Sequence, residues 1–215
     1  NNVLSVFALA HKLVQLLVLR NATQDCVHIK VSVGNIQSLG IAYFGQTDPA
    51  VNIIIKSSIT NDFDLLFATI VHEYYHLLGF GDQKFRTFVE YDESGSLLYT
   101  SERVKQCMAD YTDETILPVE KLSNSIGAHW GNDAPNHFSL LKPFIDGNSR
   151  LAECSVVAAA ELTNGITPVC SPRSQQCLEP NKVCTPIGQH LPFVCMSKEL
   201  IQNKTINVMQ FSRQH

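Results

Sequence analysis

Residues 61–80 read NDFDLLFATIVHEYYHLLGF. Phe63, Leu65, Leu66, Phe67, Ile70 and Val71 recur at a spacing that predicts a strongly apolar, buried helix over 62–78. Asn61 stands where an N-cap is expected, Asp62 and Asp64 fall in the first turn, and Gly79 ends the segment. The second half of this helix carries His72-Glu73-Tyr74-Tyr75-His76, an H-E-x-x-H motif. At about 100° per residue the i and i+4 imidazoles leave one face roughly 6 Å apart, a span that one Zn²⁺ bridges. Glu73, one residue on, is placed to act as a general base on a metal-activated water without being a ligand itself. The competing reading is an exposed turn with solvated His and Glu. The apolar helix around the motif, and Gly79-Phe80 after it, favour a rigidly held metal site.

Two histidines are too few for a catalytic zinc, which takes three protein ligands and keeps one position open. The residues admit two candidates for the third. In the metzincin pattern H-E-x-x-H-x-x-G-x-x-H/D, the glycine lets the chain turn sharply and deliver the last ligand. Counted from His72, that position is Asp82. The other candidate is His129, far along the chain, with His137 behind it. His11, His28, His190 and His215 read as structural or exposed.

Outward from the motif, residues 3–20 have helical apolar spacing, with Arg20 near the end. Val27–Val33 alternates as a strand, Leu39–Phe44 is a second, and VNIII at 51–55 is a third. VNIII is a candidate edge strand on which an extended substrate could pair. Further helices are expected over 101–111 and 151–162. Between them runs a Gly/Asn/Pro-punctuated stretch without periodicity. Residues 166–215 change character, with four cysteines, five prolines and no long periodic run, as a small disulfide-held appendage would.

Composition narrows the function classes. The chain has 215 residues, 45% of them hydrophobic and 17% charged, and a net charge of −4. That mix excludes wholesale disorder, and the lack of any Lys/Arg-rich run speaks against a nucleic-acid partner. No apolar stretch is long enough for a membrane span. Seven cysteines point to an oxidising compartment. Cys170, Cys177, Cys184 and Cys195 are expected to be oxidised, among themselves or with Cys154. They lack the tight C-x-x-C knuckle of a second zinc site. The sequons Asn21-Ala22-Thr23 and Asn203-Lys204-Thr205 agree with secretion. Without an initiator Met or signal peptide, the chain reads as a portion of a longer secretory precursor.

His72–Phe80 (HEYYHLLGF) resembles the leishmanolysin family of surface metalloproteases, whose motif is H-E-x-x-H-x-L-G-F. That family inserts a segment after the Gly-Phe and takes its third ligand from a Gly-Ser-His-Trp-like stretch beyond it. Here Gly127-Ala128-His129-Trp130 follows such an insertion, and Leu117-Pro118-Val119-Glu120 before it is also similar to the family. Its Met-turn, E-L-M-x-P, is matched by Ser139-Leu140-Leu141-Lys142-Pro143, with Leu141 in place of the methionine. That apolar swap conserves volume. The resemblance covers roughly residues 40–165 and implies an α+β fold: a metzincin-like zinc protease domain with a mixed sheet over the active-site helix, plus a small cysteine-rich C-terminal segment.

On this division residues 1–80 form an N-terminal catalytic subdomain and 81–165 a C-terminal one with the third ligand and the Met-turn-like segment; 166–215 is the tail. The implied activity is hydrolysis of peptide bonds in protein or peptide substrates, with one Zn²⁺ per chain on His72, His76 and His129 and Glu73 as base. The implied location is secreted or at the cell surface, and any membrane anchor would lie outside these residues. The replaced methionine and the short tail keep a second reading open, a weak or inactive relative that uses the same groove for adhesion.

Overall fold

The computed structural model describes residues 2–19, 28–44, 51–111, 116–121, 128–171, 173–177 and 179–199. The sequon asparagines Asn21 and Asn203, and Cys26, Gly127 and His215, lie outside the described residues. Helix α1 (Asn2–Leu17) buries Val6, Ala10, Leu13, Val14 and Leu17, an i, i+3, i+4 stripe that packs on helix α2 (Phe63–Leu77). Between the two helices in sequence come strands β1 (Ile29–Gly34), β2 (Gly40–Phe44) and β3 (Val51–Lys56). They form a mixed sheet in the order β1-β3-β2, with β1 parallel and β2 antiparallel to β3. The sheet touches α2 through β2 and β3.

Strand β3, expected from its sequence to be an edge, is instead central. Its β-branched run buries Val51, Ile53 and Ile55 on one face and is bonded on both sides, which suits a central strand. The edge strand in contact with α2 is β2. A second correction concerns the start of α2. Asp62 is the N-cap, its carboxylate accepting from the Leu65 amide at 3.1 Å, and Asn61 lies one residue outside.

Beyond α2 the chain makes a short helix α3 (Gln83–Arg86) and strands β4 (Val89–Tyr91), β5 (Leu97–Tyr99) and β6 (Leu117–Pro118), an antiparallel sheet in that order. Strands of three residues or fewer are too short for a period to register in sequence. Helix α4 (Glu102–Tyr111) packs on helix α5 (Glu153–Leu162), and the disulfide Cys107–Cys154 joins them. Lys84 closes the C-terminus of α5, donating to Glu161 O, Leu162 O and Asn164 Oδ1 at 3.0, 2.6 and 2.9 Å. Trp130 is wholly buried amid the rings of Phe80, Phe85, Tyr99 and Phe138, and its indole N–H donates to Ser155 Oγ at 2.9 Å.

The cysteine-rich segment forms a hairpin, β7 (Lys182–Pro186) with β8 (Phe193–Ser197). Its four cysteines pair among themselves as Cys170–Cys184 and Cys177–Cys195, while Cys154 bonds Cys107 in the body of the fold. The tail is docked by the Phe193 amide, which donates to the buried Glu153 carboxylate at 3.0 Å, and by the Tyr111 hydroxyl, which donates to Cys170 O. The fold is α+β. Three disulfides fit an oxidising or extracellular environment. No helix among the described residues is long and apolar enough to cross a membrane.

Candidate metal centre

Helix α2 buries Leu66, Ile70 and Val71, and this packing fixes the rotation at which His72 and His76 leave the helix. Both rings converge with that of His129, which reaches them from 53 residues past His76. His129 is brought there by a short antiparallel ladder. Val119 bridges Trp130, the Glu120 amide donates to His129 O at 2.9 Å, and the Gly131 amide donates to Pro118 O at 2.8 Å. On the far side of this ladder the Trp130 amide donates to Leu141 O at 2.9 Å. The stretch 139–143 thus lies directly against the site, with Leu141 buried.

The orientation of each ring follows from its second nitrogen. His72 Nδ1 lies 2.6 Å from Leu140 O, His76 Nδ1 3.1 Å from Phe80 O, and His129 Nδ1 2.5 Å from Glu120 Oε2. A carbonyl or carboxylate oxygen only accepts, so each Nδ1 carries the hydrogen and each Nε2 presents a lone pair. His76 Nε2 stands 3.1 Å from His72 Nε2 and 3.2 Å from His129 Nε2. Three lone pairs aimed at one another repel unless a cation lies between them. The three residues fit a metal ion, and they could hold one.

Burial also keeps His72 and His76 neutral. It holds the His72 imidazole well below its ordinary value, helped by neighbouring His76 and His129. The same cause, with His129 second, brings His76 down to about 4. The Glu73 carboxyl is buried beside them and is pushed up to about 8 by loss of water, against which the Ala42 amide donates a hydrogen bond. A cation next to such a carboxyl would favour its charged, basic form.

Asp82 takes a different position from the one its spacing suggested. Its carboxylate accepts from the Phe85 amide at 2.8 Å as the N-cap of α3, and it is not in the histidine cluster. Gly79 (φ +110) turns the chain after α2 and leaves room for that carboxylate, 3.0 Å from where a Cβ would stand. His137 has a backbone place in the 3₁₀ segment Asn136–Leu141; its side chain lies outside what is described. Cys170, Cys177 and Cys195 also lie close together, but all are in disulfides.

Three partners had no sequence reading of their own. They are the Leu140 and Phe80 carbonyls, which depend on where the backbone returns, and Glu120. The signal for Glu120 was an acid at the end of the apolar run Leu117-Pro118-Val119. It is 5% exposed, and its Oε1 has no hydrogen-bond partner among the described residues. A buried carboxylate whose one partner among the described residues is an imidazole N–H belongs beside a positive centre. Compared with known proteins, the chain matches no family model, no curated protein and no solved structure.

Proposed function

We propose that this protein is a zinc-dependent endopeptidase of leishmanolysin-like, metzincin-related type. The observation that carries the reading is the convergence of three Nε2 lone pairs beside a buried glutamate. Tetrahedral coordination at zinc–nitrogen lengths of about 2.0–2.1 Å sets ligand nitrogens about 3.3 Å apart. The separations of 3.1 and 3.2 Å here come close to that. An all-imidazole set with no soft thiolate and no ring of carboxylates suits zinc better than calcium or magnesium.

His72, His76 and His129 would hold the zinc, which when bound would supply Lewis acidity toward a water and a peptide carbonyl. Glu73 accepts the proton of the attacking water and passes it to the leaving amine. Neutral imidazoles leave the metal its full charge, and Glu120 and Leu140 O hold two of the rings in the required tautomer. Strand β2, bonded to β3 on one side and to no other strand among the described residues, offers its other edge to an extended protein or peptide substrate. Leu141 is buried, and its volume is close to that of the methionine the resemblance expects there. The disulfides support a secreted or cell-surface location.

Elemental analysis and cleavage of a fluorogenic peptide, with and without chelator, test this. The expected result is one zinc per chain, cleavage abolished by the chelator, and a Glu73→Gln variant that keeps zinc but turns over about 10²–10⁴-fold more slowly. Zinc bound without chelator-sensitive cleavage would instead favour a binding or adhesion protein. A chain that takes up no metal would sink the peptidase reading.

A further inference from the structure

Gly40 opens strand β2, where glycine weakens a strand and is expected only for a reason of backbone conformation or close approach. Conformation is not the reason, since Gly40 is not among the glycines with positive φ. Close approach is. A Cβ added there would stand 2.7 Å from both Cγ and Oε1 of Glu73, and 2.8 Å from Thr69 Cγ2. Carbon atoms in good contact lie about 3.5–4.0 Å apart. Even one methyl group does not fit.

The Thr69 side of this gap is rigid. Thr69 is wholly buried, and its hydroxyl donates to Leu65 O at 2.7 Å, which fixes the direction of its methyl. Glu73, on a longer and more flexible stem, is the group that can move, while the Thr69 methyl stays as a second obstacle. Two residues further along β2, the Ala42 amide donates to the Glu73 carboxylate. One strand therefore both clears the space for this side chain and holds its charged end.

We propose that Gly40 is a positioning residue for Glu73: its missing side chain lets the carboxylate lie flat against β2 in the orientation that general-base catalysis uses. The catalytic half of this rests on the peptidase reading; the steric half rests on the contacts alone. The substitution Gly40→Ala should push Glu73 away from Ala42 while leaving His72, His76 and His129 in place.

The test is a double-mutant cycle on the full chain carrying Thr69→Ser, which removes the methyl that also crowds Gly40 and keeps the hydroxyl bonded to Leu65 O. Thermal unfolding of Gly40→Ala, Glu73→Ala and the double variant is measured beside this parent and wild type, together with zinc content, kcat and KM. Gly40→Ala is expected to bind one zinc per chain and keep KM within about threefold, while kcat falls by about 100-fold or more, toward the Glu73→Gln level. Most of its loss in Tm should disappear when Glu73 is also alanine, because the obstructing side chain is gone. If Gly40→Ala does not fold, the double variant should.

Wild-type kcat in Gly40→Ala would overturn the proposal. So would Tm losses that simply add, or a double variant that stays unfolded; the backbone would then be the obstacle. If wild type itself cleaves nothing, the peptidase reading has failed, and the unfolding cycle still decides whether Gly40 makes room for Glu73.

Discussion

His129 is held at both ends of its ring, Nε2 among the other two imidazoles and Nδ1 against Glu120. Asp82, in the register of a short-spaced metzincin ligand, caps α3 instead. The two residues make opposite predictions. His129→Ala removes one of three donors, and zinc affinity should fall by far more than the roughly 10–100-fold typical of changes one layer out. Asp82→Ala should keep one zinc per chain and lose only a helix cap, about 1 kcal/mol of stability. Competition with a chromogenic chelator measures both; the reverse outcome would move the third ligand to Asp82. Glu120 belongs to the layer behind. Glu120→Ala should weaken zinc binding by about 10–100-fold, and Glu120→Gln, which still offers an oxygen to His129 Nδ1, by less.

Elements meet at the site through turns that only glycine makes easily. Gly81 has φ +84, and a Cβ there would stand 2.9 Å from Ala128 Cα and 3.0 Å from Ala128 Cβ. The turn after α2 is thus pressed against the residue preceding His129. Gly81→Ala combines a left-handed backbone with a collision and should cost roughly 2–3 kcal/mol in denaturant unfolding, with weaker zinc binding because the His129 segment is displaced. Gly95 supplies the control. Its φ is +78, but a Cβ there meets only Lys121 Nζ at 4.0 Å. Gly95→Ala should cost about 1–2 kcal/mol from backbone strain and leave zinc affinity unchanged. Equal effects of the two substitutions on zinc would show that the Gly81–Ala128 contact does not position the ligand.

Across the molecule, two kinds of tie hold the parts around α2. The first is packing around Trp130, whose ring meets side chains from the turn after α2, from α3, from β5 and from the 3₁₀ segment. The second is covalent. Cys107–Cys154 closes a loop of 47 residues that contains β6, Glu120 and His129, whereas the tail bridges close loops of 14 and 18. Longer loops restrict the unfolded chain more. Replacing Cys107 and Cys154 together by alanine should lower stability by roughly 2–4 kcal/mol in guanidinium titrations. A loss below that of removing Cys177–Cys195 would mean that loop length does not govern these bridges.

What sequence alone determined is what lies close along the chain. The i, i+4 geometry of a helix puts His72 and His76 on one face and Glu73 beside them, whatever the rest of the fold does. The β-branched run of β3 and the apolar spacing of α1 and α2 are equally local, and they carry through to a mixed sheet on a helix. A cysteine count speaks of redox environment but not of partners. Tertiary structure decided the rest, because each remaining feature depends on where distant segments return. The pairing of 118–120 with 129–131 brings Glu120 to His129, and the place of β3 between two neighbours denies it an edge. Both are matters of register between segments, which a single strand's pattern does not encode. Gly40 is the sharpest instance. In sequence it is a glycine at the start of a strand, and only the approach of α2 to β2 shows that the space it leaves is filled by Glu73.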